Sequence, residues 1–436
     1  MLNRFLFKHI DNSALVIFRI IFGLLCFLES VGAIFTGWVK ITMISPQHTF
    51  SFMDFEWLQP LPGYWMYAYY VLMGVFGLFI MLGYRYRFSA LAFTVLWGGT
   101  YFMQKSSYNN HYYLLMLLSG LMVFQPANKY LSLDVKRNPS IVSYSMPRWS
   151  AWIFILQMFI VYTYGSINKI YPDWLNLNVM KVLMQGKKHY VLVGNLLQET
   201  WLQYFLAYGG ILFDGLVIPL LLIKKTRKLA FFASVFFHLF NSFIFQVGIF
   251  PYLSLAFCLF FFSQETIHKL FLKRKPFYDQ GEVIVPKKAP VFKTLFITYF
   301  AIQLLLPVRH YFIKGDVFWT EEGHRMSWRM MLRAKHGLAT YIVVDKNSGK
   351  QDTIRLENYL TPKQIRSAST KPDVIWQFAQ RLKNIYSEKG QDVSVFVKSR
   401  VSLNGGKYKP LIDPTIDLTT VPWEPFKHSD WILPEN

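Results

Sequence analysis

Nine apolar runs, each parted from the next by polar or charged residues, dominate residues 1–311: Leu15 to Phe35, Trp65 to Leu82, Phe88 to Phe102, Tyr112 to Phe124, Trp149 to Ile167, Tyr204 to Ile223, Leu229 to Phe245, Tyr252 to Phe262 and Val291 to Val308. A helix of ~20 apolar residues crosses a bilayer, and the shorter runs lie beside others in tight hairpins. The pattern predicts an all-α polytopic membrane bundle of about nine transmembrane helices. Around Pro251 the apolar region is interrupted, and a hairpin or a kinked helix fits equally well.

After Val308 the long runs stop, and charges, Gly and Pro become frequent. The chain divides into a transmembrane helical domain, 1–311, and a soluble α+β domain, 312–436, of a size that builds its own core. In the second part Tyr341 to Val344 and Thr353 to Leu356, joined through Asn347-Ser348-Gly349-Lys350, predict a hairpin. Ile375 to Tyr386 predicts a helix with Trp376, Ala379, Leu382 and Tyr386 on one face, and Val393 to Leu403 alternates as a strand.

Composition agrees with the pattern: 53% of residues are hydrophobic and 18% aromatic, more apolar surface than a soluble core needs. The formal charge of +21 is concentrated in the membrane part, where residues 1–311 hold 27 Lys and Arg against 11 Asp and Glu. Arg4 and Lys8, Arg85 and Arg87, Lys129 to Arg148, Lys224 to Lys228 and Lys269 to Lys293 all fall in loops on one side of the bundle. A minority, Lys40, Lys105, Lys181, Lys187 and Lys188, falls on the other. Short cytoplasmic loops carry such an excess, so the N-terminus is expected inside and the C-terminal domain outside, facing membrane lipid and not nucleic acid. No reading motif for nucleic acid accompanies the charge.

Only Cys26 and Cys258 occur, both within apolar runs, which excludes a disulfide framework and a Cys-based metal site. Asn138-Pro139-Ser140 is blocked as a glycosylation site by its proline, and no other Asn-x-Ser/Thr is present. A multi-pass protein of a bacterial cell membrane fits better than a glycosylated lumenal one, with the endoplasmic reticulum membrane as the eukaryotic counterpart. The first run is expected to serve as both signal and anchor.

Polar residues converge on the outer ends of the runs. They are Asn109, Asn110 and His111, then Asn168 and Lys169, then His238 and Asn241, then Arg309 and His310, followed by Glu321, Glu322 and His324. An embedded lysine is a functional hypothesis by default, since desolvation disfavours its ammonium form and frees it to accept a proton. The plainer alternative is a lysine that snorkels to the interface, and its polar neighbours weigh against that. His111 as a helix cap, His238 as a satisfied core histidine and Asp214 as a structural partner for a tyrosine or lysine are the plain readings of those residues. The histidines lack metal-site spacing, so no metal is expected. No phosphate loop, dinucleotide fingerprint or Gly-x-Ser-x-Gly elbow is present. A base beside donors suits proton chemistry on a lipid-like cosubstrate held by apolar walls.

At these residues the chain resembles the vitamin K-dependent gamma-carboxylase family, whose membrane part is the horizontally transferred transmembrane domain. The resemblance runs through Leu58-Gln59-Pro60-Leu61-Pro62, Ser107-Tyr108-Asn109-Asn110-His111-Tyr112-Tyr113-Leu114, Ala127-Asn128-Lys129-Tyr130 and Ser132-Leu133-Asp134. It continues with Asn168-Lys169, Asp173-Trp174, Phe237-His238-Leu239-Phe240-Asn241-Ser242, Gly248-Ile249-Phe250-Pro251-Tyr252, Leu306-Pro307-Val308-Arg309-His310 and Ser327-Trp328-Arg329-Met330-Met331.

The resemblance implies a peptidyl-glutamate carboxylase, a lyase with coupled epoxidation. A membrane lysine deprotonates reduced vitamin K (phylloquinol or menaquinol), which reacts with O2 to give a strongly basic alkoxide and leaves as the 2,3-epoxide. The alkoxide removes a γ-proton from a protein glutamate, and CO2 traps the carbanion as gamma-carboxyglutamate. By similarity Lys169 is the base, His111 and Asn110 lie beside the reacting groups, His238, Asn241 and His310 support the quinone site, and Ser327 and Trp328 lie near the glutamate. The disulfide of the animal enzymes and their later segments have no counterpart here, which implies a substrate, protein or peptide, without a propeptide tag. A quinol epoxidase with a different or lost acceptor, a non-enzymatic quinone-binding or transport protein and a membrane structural protein are the competing readings. A transporter is expected to show inverted repeats, and none is visible.

Overall fold

The computed structural model describes residues 1–435. Its main helices are α1 (Ser13–Phe35), α2 (Trp65–Leu82), α3 (Tyr86–Met103), α4 (Asn110–Val123), α5 (Trp149–Ile167), α6 (Thr200–Leu222), α7 (Arg227–Phe245), α8 (Phe250–Phe257), α9 (Gln264–Phe271), α10 (Ala289–Val308), α11 (Pro362–Thr370) and α12 (Pro372–Ser387). Each of the nine apolar runs forms a helix, but six are long and apolar enough to cross a membrane, or seven if a bent pair counts as one. The expected count of nine is not reached on that measure. Helix α3 is diluted by Arg87, Ser89, Thr94 and Thr100, and α4 has 14 residues. At 1.5 Å per residue α4 is about 21 Å long, short of the ~30 Å hydrocarbon core. Helix α8 runs on to Phe260, and the chain then bends by 116° into α9.

Pro251 resolves as a hairpin. Helix α7 ends where Gln246 and then Gly248 take left-handed backbone, and Pro251 sits in the first turn of α8, where its missing N–H costs nothing.

Loops meet at two opposite ends of the bundle. At one, strands β1 (His9–Asp11) and β2 (Ser145–Pro147) pair antiparallel, and Asp11 forms a buried ion pair with Lys275. There the buried Arg19 guanidinium donates to the carbonyls of Ala127 (3.0 Å) and Leu131 (2.6 Å). The C-terminal region covers the other end. Its sheet is β3 (Lys335–Asp345), β4 (Gln351–Thr353), β5 (Val393–Leu403) and β6 (Lys409–Pro410) in the antiparallel order β4-β3-β5-β6, with α11 and α12 packed on it. The helix and the long strand fall where the sequence pattern puts them, and so does the first strand of the hairpin; its second strand is Gln351–Thr353 and not Thr353 to Leu356, because Leu356 opens a 3-10 turn. The buried face of α12 is led by Ile375, Phe378, Ala379 and Leu382, whereas Trp376 lies at its edge and donates to Val421 O (2.8 Å). This core is not closed by residues after 311 alone, because Phe50, Trp174, Leu177, Met180, Met184 and Leu197 complete it.

Close helix contact depends on glycine at one crossing. A Cβ on Gly23 of α1 would lie 2.6 Å from Met81 Cα, and one on Gly77 of α2 would lie 2.7 Å from Phe27 N. Small residues let membrane helices approach to backbone contact. Gly23→Ala should therefore lower the thermal unfolding midpoint in detergent, at a cost of ~1–3 kcal/mol for overpacking. Gly32→Ala, on the same helix but facing open space, should leave the midpoint unchanged or slightly raised. Equal midpoints for the two variants would contradict the crossing.

Candidate active site

Lys169 lies just beyond α5, in a turn that ends at Pro172, the first residue of a short helix, Pro172–Leu175. Its side chain is buried and forms an ion pair with the buried Asp214 of α6. A glycine eases the approach: a Cβ on Gly165 would meet Asp214 Oδ2 at 3.1 Å, tighter than an ordinary contact. The ammonium also lies 5.8 Å from the Trp174 ring, whose Nε1 donates to Ala207 O. The lysine is therefore embedded and does not snorkel. Asp214 is its partner, and taking a charge out of water is tolerable when an opposite charge and good geometry offset the desolvation.

The pair lines a cavity of about 610 Å3 that has two chemically distinct halves. One is aromatic, walled by Phe205, Phe213, Phe236, Phe237, Phe240 and Phe250, with Phe213 and Phe237 stacked 3.9 Å apart. The other is cationic: Arg325, Arg329, Arg333, Lys335 and Lys371 line it, against the single carboxylate of Glu321. His111, Asn110 and Asn241 also line the cavity. His111 does not cap its helix; Asn109 does, its Oδ1 accepting from Tyr112 N at 2.7 Å. Asn110 donates to Arg329 O (2.8 Å) and accepts from the Tyr108 hydroxyl (2.9 Å), while Asn241 donates to Phe237 O one turn back.

The remaining candidates stand one residue behind the cavity. His238 meets the Tyr162 hydroxyl at 2.7 Å, and Tyr162 lines the wall. His310 donates from Nδ1 to Pro307 O (2.9 Å), which leaves Nε2 to accept from Arg329 at 2.6 Å. Ser327 holds backbone: its hydroxyl donates to Gly323 O (2.5 Å) and its carbonyl accepts from Asn168 (3.0 Å). Trp328 is 1% exposed, packs on Tyr113 and does not face the cavity. The backbone here is held in left-handed conformations at Glu321, Met326, Trp328 and Met331 as well as at Gly323. A non-glycine residue there costs about 1–3 kcal/mol and persists where surrounding contacts fix it.

Sequence reasoning left Asp214 open as a structural partner for a tyrosine or a lysine, and the fold selects the lysine. It missed the cations Arg325, Arg333, Lys335 and Lys371; the Arg325, Arg329, Arg333 spacing flanking Ser327 was the available signal. Among the described residues no group of His, Cys, Asp or Glu is arranged to hold a metal.

Charges in the cationic half are buried and unequal. Burial alone would raise Glu321, but Arg333 (2.7 Å) and the nearby Lys335 and Lys371 outweigh it and bring its carboxyl down to about 2. Behind the cavity burial likewise opposes ionisation of Asp373, and Arg325 (2.5 Å) and Lys105 (3.0 Å) hold it well below the usual range. Burial lowers Lys335 and Lys371 to about 8 each. Neither Arg329 nor Lys371 has an acidic partner within ion-pair distance among the described residues.

Residues 7–265 match the HTTM domain, and residues 288–436 match the vitamin K-dependent gamma-carboxylase, lumenal domain. The second match begins ahead of α10, so that helix falls within it. No solved structure matches the chain.

A carboxyl whose folded pKa is depressed adds stability above its unfolded value and loses it as pH falls through the folded one. The unfolding midpoint in detergent should therefore fall as pH drops from 4.5 towards about 2, and Glu321→Gln should flatten that slope. A slope identical in the variant would exclude Glu321 as its source.

Proposed function

The chain belongs to the vitamin K-dependent gamma-carboxylase family, and on that premise we propose that it is an integral membrane enzyme that oxygenates reduced vitamin K and uses the reaction to carboxylate glutamate in a protein or peptide. The observation that carries this reading is the two-part cavity: an aromatic half beside a buried lysine, continuous with a half lined by five cations. An aromatic slot of this size fits a naphthoquinol ring with part of its tail, and ligand cavities of ~300–1,000 Å3 are usual for such molecules.

Lys169 accepts the proton of a quinol hydroxyl, and Asp214 fixes the amine and shares its charge. The base is thus a pair and not the lone neutral amine that the sequence suggests, so a proton moved within the pair frees the amine without leaving a net charge in an apolar site. Reduced vitamin K, phylloquinol or menaquinol, supplies with O2 the far stronger base that a carbon acid requires, and CO2 supplies the carboxyl group. His111 and Asn110 present donors to the ring oxygens, where charge develops. Asn241 lines the quinone half, and His238 steadies it through Tyr162. Arg329 and Lys371, without acidic partners among the described residues, receive the glutamate carboxylate, a charge-assisted contact. His310 orients Arg329, while Ser327 and Trp328 hold the segment that carries it.

We place the N-terminus in the cytoplasm and the C-terminal domain outside it, with nine crossings, in a bacterial cell membrane or its eukaryotic counterpart. Supporting this, Arg19 and Lys275 make their contacts at one end of the bundle, and Lys169 and the cationic half lie at the other. No metal takes part in this scheme.

Purified protein in detergent, given reduced vitamin K, O2, labelled carbonate and a glutamate peptide, should form epoxide and fix label. Epoxide without fixed label would leave a quinol epoxidase with another acceptor; neither product would overturn the proposal. Lys169→Ala should lower both products by about 10²–10⁴-fold, the usual worth of a positioned base, in protein that still folds but unfolds at a lower midpoint because Asp214 is left unpaired. His111→Ala should cost less. Normal turnover in the lysine variant removes Lys169 from the mechanism.

A further inference from the structure

A second, smaller cavity of about 20 Å3 lies beside the first, lined by Glu29 of α1 and by Tyr70, Tyr101, Ser107, Tyr108 and Tyr112. Glu29 stands inside an apolar helix, six residues from its end at Phe35. An ionisable residue in that setting marks a proton or ion path more often than a structural need. Tyr112, Cys26 and Tyr70 are the titratable groups beside its carboxyl. No Lys, Arg or His forms an ion pair with it among the described residues.

Two further hydroxyls line the same space. Those of Tyr101, 6% exposed, and Ser107 have no hydrogen-bond partner among the described residues. Leaving a buried hydroxyl unmade is costly, so a cavity ringed by such groups is built for a polar guest. A water needs roughly 10–15 Å3 and two to four polar partners, which this space provides. Tyr108 lines both cavities, so one side chain separates Glu29's cavity from the reaction site.

The proposed reaction needs such an outlet. Reduced quinol and O2 become epoxide and water, which balances in protons; replacing a glutamate C–H by a carboxylate from CO2 releases one proton per turnover. Retained beside Lys169, that proton would keep the base from acting again. Resting on the proposed function, we propose that Glu29 takes up this proton across the Tyr108 wall, through a water held by Tyr101 and Ser107, and passes it on towards the Phe35 end of α1.

The test uses the full chain in lipid nanodiscs, with first-turnover and steady-state epoxide formation and reaction-induced infrared difference spectra. In Glu29→Gln the first turnover should proceed at the parent rate, because Glu29 touches no substrate. Later turnovers should slow by about tenfold or more, and a carboxylic-acid carbonyl band seen in the parent should vanish. Glu29→Asp should restore part of both. Tyr101→Phe removes a hydroxyl with no protein partner, so a purely structural role leaves turnover untouched, whereas a relay slows the same later turnovers. Parent-like steady-state turnover in Glu29→Gln, or the band surviving in it, overturns the inference while leaving the proposed function standing. Absence of epoxide from the parent protein removes both.

Discussion

A charged lysine amine is costly to hold in an apolar helix bundle without a partner, and the pairing of Lys169 with Asp214 is the constraint around which the site is built. The two side chains come from the end of α5 and from the adjacent α6, which approach closely where Gly165 leaves room that a larger residue would take from Asp214. Replacing either partner alone strands a buried charge, the expensive way to break such a pair. The aromatic wall beside the pair lowers the local polarity and so raises the strength of the interactions the amine makes.

The cationic half depends on a different device. Residues 321–331 are bent through several left-handed positions and pinned from below by Asn110, Asn168 and the Tyr108 hydroxyl, which accepts from Met326 N at 2.7 Å. Arg309 adds a donor to Arg325 O at 2.5 Å. Those contacts hold the backbone strain and aim Arg325 and Arg329 into the cavity. Ser327 and Trp328 belong to this framework.

One volume therefore joins two solvents. A greasy molecule from the bilayer and a charged side chain from outside it can share the space only where the helix ends and the C-terminal region meet. The shared core formed by Phe50, Trp174, Leu177 and the sheet residues fixes that junction. A cavity between two independently packed bodies would not hold a reacting pair to the fraction of an ångström that proton transfer requires.

The sequence by itself determined the helical runs, the break at Pro251, the α+β region after Val308 and the embedded Lys169, because apolar periodicity, proline and a lone charge act through local chemistry. It also showed that Asn110, His111 and Asn241 fall at helix ends that could meet. Of its nine runs six stand as helices long and apolar enough to cross a membrane by themselves among the described residues, since apolarity along a run does not fix where a helix stops or bends, as at α4 and after Phe260. Only the tertiary structure decided that Asp214 answers Lys169, that Arg333, Lys335 and Lys371 face the same cavity, and that Trp328 turns away from it. Those relations join residues far apart in the chain, and which of several possible partners a buried charge takes is set by the packing that brings the helices together.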